Sequence, residues 1–94
     1  MHPMIKQQQA EILRLATQHK IRSVRLFGSF VRGEETADSD VDLLVFPEDG
    51  ASGFDLGGFL MDMQDLFQRK VDVVSERALH PLMREQVLRE AETI

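Results

Sequence analysis

A ten-residue gap separates Gly28-Ser29 from Asp40-Val41-Asp42, and each motif abuts a short apolar run. This arrangement constrains the fold more than any other feature of the chain. Ser23–Phe27 (Ser-Val-Arg-Leu-Phe) reads as one strand, ending at the Gly-Ser pair, and Asp40–Phe46 reads as a second, opened by the two aspartates. Side chains alternate faces along a strand, so Asp40 and Asp42 share one face, roughly 7 Å apart. Two carboxylates at that separation can bracket a hard divalent cation, and their oxygens suit Mg²⁺, which takes its remaining ligands from phosphate and water. The simpler reading of Asp-x-Asp alone is an acidic turn into a strand, with both side chains solvated.

The Gly-Ser pair shifts that balance. Ser29 suits an N-cap, and the next residues can form a helical turn or two. A helix start exposes backbone N–H groups and the positive end of the dipole, which together attract phosphate. Gly28 lets a ligand approach the backbone with no Cβ in the way. The Ser29 hydroxyl adds a donor, and Arg32 has a guanidinium matched to phosphate geometry. Alone, Gly-Ser would be an ordinary turn; joined to the aspartates, it reads as an anion site beside a metal site. Val71–Ser75 is a third strand, with Asp72 its one charged residue. A charge in a buried strand needs a partner or a metal. Beside Asp40–Phe46, Asp72 would complete a triad and serve as general base; otherwise it reaches solvent or pairs with Arg69 or Lys70.

With these residues in place, the chain resembles the DNA polymerase β-like nucleotidyltransferases. Gly28-Ser29, the ten-residue gap, Asp40-x-Asp42 and the later Asp72 follow that family's signature, and Arg32-Gly33 with the short length is most similar to its minimal prokaryotic members. The resemblance implies an α+β fold, a small mixed sheet with alternating helices packed against it. It implies catalytic and metal-binding roles for Asp40, Asp42 and Asp72, which would hold two Mg²⁺ ions. Gly28, Ser29 and Arg32 would grip the triphosphate of ATP. It further implies transfer of AMP to a hydroxyl acceptor and pairing with a small all-helical HEPN-type toxin, with this chain as the antitoxin. Two alternatives accompany that reading: an antitoxin acting by contact alone, and nucleotidyl transfer to RNA or a small molecule.

Composition narrows the field. The 94 residues carry 11 Lys and Arg against 16 Asp and Glu, a net charge of −5, and no cysteine. One domain spanning residues 1–94 is expected at this size. Disulfides and thiolate metal sites are excluded, and the cytoplasm is the expected compartment. The acidic balance, without a basic stripe, argues against broad nucleic-acid binding. No apolar run approaches the ~20 residues of a membrane helix, and Met1-His2-Pro3 opens no signal-peptide pattern.

Periodicity supplies the rest. Met4 to about His19 reads as a helix, with Ile5, Ile12, Leu13 and Ala16 inward. Pro47–Gly58, with three glycines at Gly50, Gly53 and Gly57 before its last residue, reads as a flexible loop. Phe59 to about Gln68 reads as a helix with Leu60, Met63, Leu66 and Phe67 inward. Leu79–Glu92 reads as a final helix packed through Leu82, Met83, Val87, Leu88 and Ala91. His2, His19 and His80 share no ligand spacing, and Ser29 has no histidine arranged for nucleophilic catalysis.

Overall fold

Two central strands carry the motifs. In the computed structural model, which describes residues 1–94, β1 (Ile21–Phe27) and β2 (Val41–Pro47) run antiparallel at the middle of a four-stranded sheet. The third strand, β3 (Val71–Ser75), lies parallel to β2, and β4 (Glu92–Thr93) lies antiparallel to β1, giving the order β3-β2-β1-β4. The sheet is therefore mixed and the fold α+β, as the sequence implies.

Five helices complete the chain: α1 (Pro3–Gln7), α2 (Gln9–Gln18), α3 (Ser29–Arg32), α4 (Gly53–Phe67) and α5 (Pro81–Glu90). A single 3₁₀ turn, Glu76–Ala78, follows β3. Alternation sorts the strand residues cleanly. Val41, Leu43 and Val45 face the helices and join Val24, Leu26 and Val71 in one core with Ile5, Ile12, Phe59 and Met63. The intervening positions, Asp42, Leu44 and Phe46, turn to the opposite face. Leu44 and Val87 are both buried but lie outside that core. Arg84 of α5 donates to the Glu76 carbonyl oxygen at 2.8 Å.

Several boundaries differ from expectation. The first helix is two, broken at Gln8, whose backbone leaves helical geometry (φ −102°, ψ 6°). Helix α4 begins at Gly53, six residues earlier than the glycines suggest. A reciprocal cap starts it: Asp55 accepts from the Ser52 backbone N–H at 2.8 Å, and Ser52 accepts from the N–H of Asp55 in return. Such a cap offsets much of the helix penalty of Gly57 and Gly58. Leu13, Leu82 and Met83, expected inside, are exposed, and α5 buries only Val87 fully. The short strand β4 carries no periodic signal and replaces the end of the expected last helix.

Candidate active site

The phosphate-turn candidate and the acidic strand meet at the end of β1. Gly28 has φ +79° and ψ −152°, a conformation that L side chains rarely adopt. It sits at the N-cap of α3 and Ser29 is the first helical residue, so the helix starts one position earlier than the sequence suggests. The N–H groups of Val31 and Arg32 both donate to the Gly28 carbonyl oxygen, which locks the turn. Glycine is also demanded by contact: a Cβ at Gly28 would lie 2.1 Å from Oδ2 of Asp42. The turn and the carboxylate therefore share one small space, which brings the two sequence motifs together.

Register places Asp72 next to Asp42. Asp42 is paired directly with Phe27 on one side and with Asp72 on the other, so Asp42 and Asp72 are cross-strand neighbours on one face. The parallel pairing is what a helical crossover through α4 between β2 and β3 permits. Asp72 is exposed rather than buried, so it avoids the desolvation cost anticipated for it. Neither Arg69 nor Lys70 pairs with it. Arg69 donates to the Ser39 carbonyl oxygen at 3.2 Å and lies over the Phe30 ring, and Lys70 lies 3.7 Å from Asp40.

The cluster is electrostatically loaded. The Asp42 carboxyl is pushed up to about 6, chiefly by burial, then by the negative charges of Asp72 and Asp40, with Arg32 opposing. As the side chains stand, no three His, Asp or Glu groups converge into a metal-holding set. Asp40 lies one residue before β2, with Lys70 at 3.7 Å. Arg32 is exposed and takes two carboxylates: its Nε donates to Glu34 at 3.3 Å and its Nη1 to Glu90 at 2.7 Å. Glu90, 58 positions along the chain, carries no local signal of this role. A donor set of oxygens in like-charge repulsion is suited to a hard cation, and a glycine turn with an adjacent guanidinium is suited to an anion.

The fold has known counterparts. Residues 10–94 match the family model described as Polymerase beta, Nucleotidyltransferase. A protein adenylyltransferase, MntA, of Thermococcus cleftensis is 35% identical over 85% of this chain and 89% of its own length. A solved structure provisionally named a minimal nucleotidyltransferase superposes with a TM-score of 0.87 at 42% identity, covering 96% of this chain and 92% of that one. The solved complex of a tri-AMPylated Shewanella oneidensis HEPN toxin with an MNT antitoxin contains a chain that matches at a TM-score of 0.70 and 19% identity, over 94% of this chain and 69% of that one. At that identity the likeness is one of fold. From the family match, the identity to MntA and the shared architecture, the chain belongs to the polymerase β nucleotidyltransferases, in their minimal form.

Proposed function

We propose that this protein transfers AMP from ATP to a hydroxyl group on a small HEPN-type toxin, and acts as that toxin's antitoxin. The observation that carries the reading is the pairing of Asp42 with Asp72 beside a glycine whose absent side chain leaves room for the Asp42 carboxylate. The relative named protein adenylyltransferase and the fold shared with an AMPylated toxin–antitoxin complex give the reading its acceptor class.

Each residue has a part. The Gly28 turn brings backbone close to the triphosphate, and the Ser29 hydroxyl and the Arg32 guanidinium add donors to it. Asp72, exposed at the edge of the cluster, faces an incoming hydroxyl and accepts its proton. The acceptor oxygen then forms a bond to the α-phosphorus, the bond from that phosphorus to the α–β bridging oxygen breaks, and pyrophosphate leaves with that electron pair. The residues fit Mg²⁺: Asp40 and Asp42 would hold two ions and Asp72 one of them. Asp40 gives up little by turning from Lys70, because such exposed pairs contribute at most about 1 kcal/mol. When bound, paired cations supply charge neutralisation at the attacking and leaving oxygens.

The test is transfer of label from α-³²P-ATP with Mg²⁺ into an extract of the source cells, with Asp42→Asn as control. Label on a small protein, present with the native chain and lost with the variant, is the expected result. Label on RNA instead would replace the acceptor class. No label from a folded chain, with toxin neutralisation intact in an Asp40→Asn/Asp42→Asn double variant, would establish an antitoxin working by contact alone.

A further inference from the structure

Arg32 is the one cation of the phosphate turn, and the structure gives it an unexpected companion. Its Nη1 donates to Glu90 at 2.7 Å and its Nε to Glu34 at 3.3 Å. The two carboxylates differ in setting: the Glu34 side chain is 63% exposed, that of Glu90 only 17%. Glu90 is thus a fixed, largely covered counter-ion at the last residue of α5, brought from the far end of the chain to the turn that follows β1. Against two carboxylates the guanidinium is over-neutralised, and a polyanion reaching Arg32 meets a net negative group.

We propose that Glu90 is a positioning residue for nucleotide binding: it holds Arg32 while the site is free and yields it to a phosphate of the incoming nucleoside triphosphate. This rests on the reading of Arg32 as a triphosphate contact. The exchange is of one charge-assisted hydrogen bond for another, with a planar fork suited to both carboxylate and phosphate. It sets nucleotide affinity below what the turn alone would give, and it couples occupancy of the site to the seating of α5. That helix is lightly anchored, with Val87 its one fully buried side chain, so release of Glu90 loosens its C-terminal end.

The experiment measures the dissociation constant of Mg²⁺-bound α,β-methylene-ATP for five forms of the full chain: native, Glu90→Gln, Arg32→Ala, the double variant, and Glu85→Gln. Glu85 lies on the same helix, is 85% exposed at its side chain and pairs with Arg89, so it controls for loss of one negative charge. Glu90→Gln is expected to bind about threefold more tightly, the scale set by one partly exposed ion pair. Glu85→Gln should match the native chain, and the gain from Glu90→Gln should vanish in the Arg32→Ala background. Unchanged or weaker binding by Glu90→Gln overturns the proposal, as does equal tightening without Arg32, which would mark a bulk charge effect. A merely structural Glu90 would weaken binding when replaced. If Arg32→Ala itself binds as the native chain does, the reading of Arg32 as a phosphate contact fails first and the proposal falls with it.

Discussion

Asp42 is strained by its burial and, to a lesser degree, by its acidic neighbours, and that strain is measurable. Folding raises its carboxyl from an ordinary 3.8 to about 6. Between those values the folded protein holds a proton that the unfolded chain has released. Stability therefore falls as pH rises through the window from about 4 to 6, and the cost remains in full above it. Asp42→Asn removes the titrating group. In the presence of EDTA, the variant should be more stable than the native chain at pH 7.5 by about 1 kcal/mol, allowing for solvent screening at a half-exposed group. The gap should close at pH 4. Added Mg²⁺ should stabilise the native chain and leave the variant unmoved. Urea denaturation at the two pH values reads all three effects; a variant less stable than the native chain at pH 7.5 without metal would contradict them. Part of the residue-scale arrangement was legible in the sequence: strand alternation puts Asp42 on the face opposite Val41, Leu43 and Val45, and it meets the Gly28 turn there. The exposure of Asp72 and the tie from Arg32 to Glu90 were not, because each depends on a contact between segments far apart in the chain.

Helix α4 shows how an element can be hidden by its own residues. Gly50, Gly53, Gly57 and Gly58 suggest a loop, yet the Ser52 and Asp55 cap starts a helix that contains three of them, Gly53, Gly57 and Gly58. The cap rests on a Ser52-x-x-Asp55 spacing that a reading based on the glycines leaves out. Their environments now differ sharply. A Cβ at Gly57 meets nothing within 4 Å, whereas one at Gly58 would lie 2.7 Å from Cε1 of His19. That ring is not free to move aside, because His19 Nε2 sits 2.6 Å from Asp62 and its edge packs on Phe59. Gly58 is the recess that lets α2 dock on α4. Gly57→Ala should stabilise the protein by about 0.5–1 kcal/mol, the ordinary gain in helix propensity. Gly58→Ala has the same propensity gain but displaces His19 from Asp62, so its net effect should be destabilising by about 1 kcal/mol. Thermal melts of the two variants should move in opposite directions. Equal upward shifts would mean that His19 does not hold the two helices together.

At the scale of the molecule, the C-terminal segment closes the structure from the aspartate side. Helix α5 brings Glu90 to Arg32, β4 then pairs with Arg25 and Leu26 on the outer side of β1, and the Ile94 N–H donates to the Val24 carbonyl oxygen at 3.0 Å. The first residues join the same closure, with the chain-start amine 3.9 Å from Glu92 and His2 3.0 Å from Glu35. The mixed sheet was implied by the alternation of strands and helices, but this strap was not. Two residues of strand have no periodicity to read, and α5 puts Leu82 and Met83 outward against the pattern. Ile94 is the strap's anchor, 7% exposed and part of the main core. Ile94→Ala should cost about 2–3 kcal/mol, a large share of a small domain's stability, and lower the melting temperature by roughly 10–15 °C. Because β4 follows α5 directly, hydrogen exchange should accelerate in α5 as well as in β1 at Arg25 and Leu26. A melting temperature within about 3 °C of the native chain would mean that the strap is frayed in solution and that α5 stays over the aspartate face by its own contacts. A full drop with faster exchange in α5 would make the same three residues responsible for both the sheet edge and the seating of Glu90.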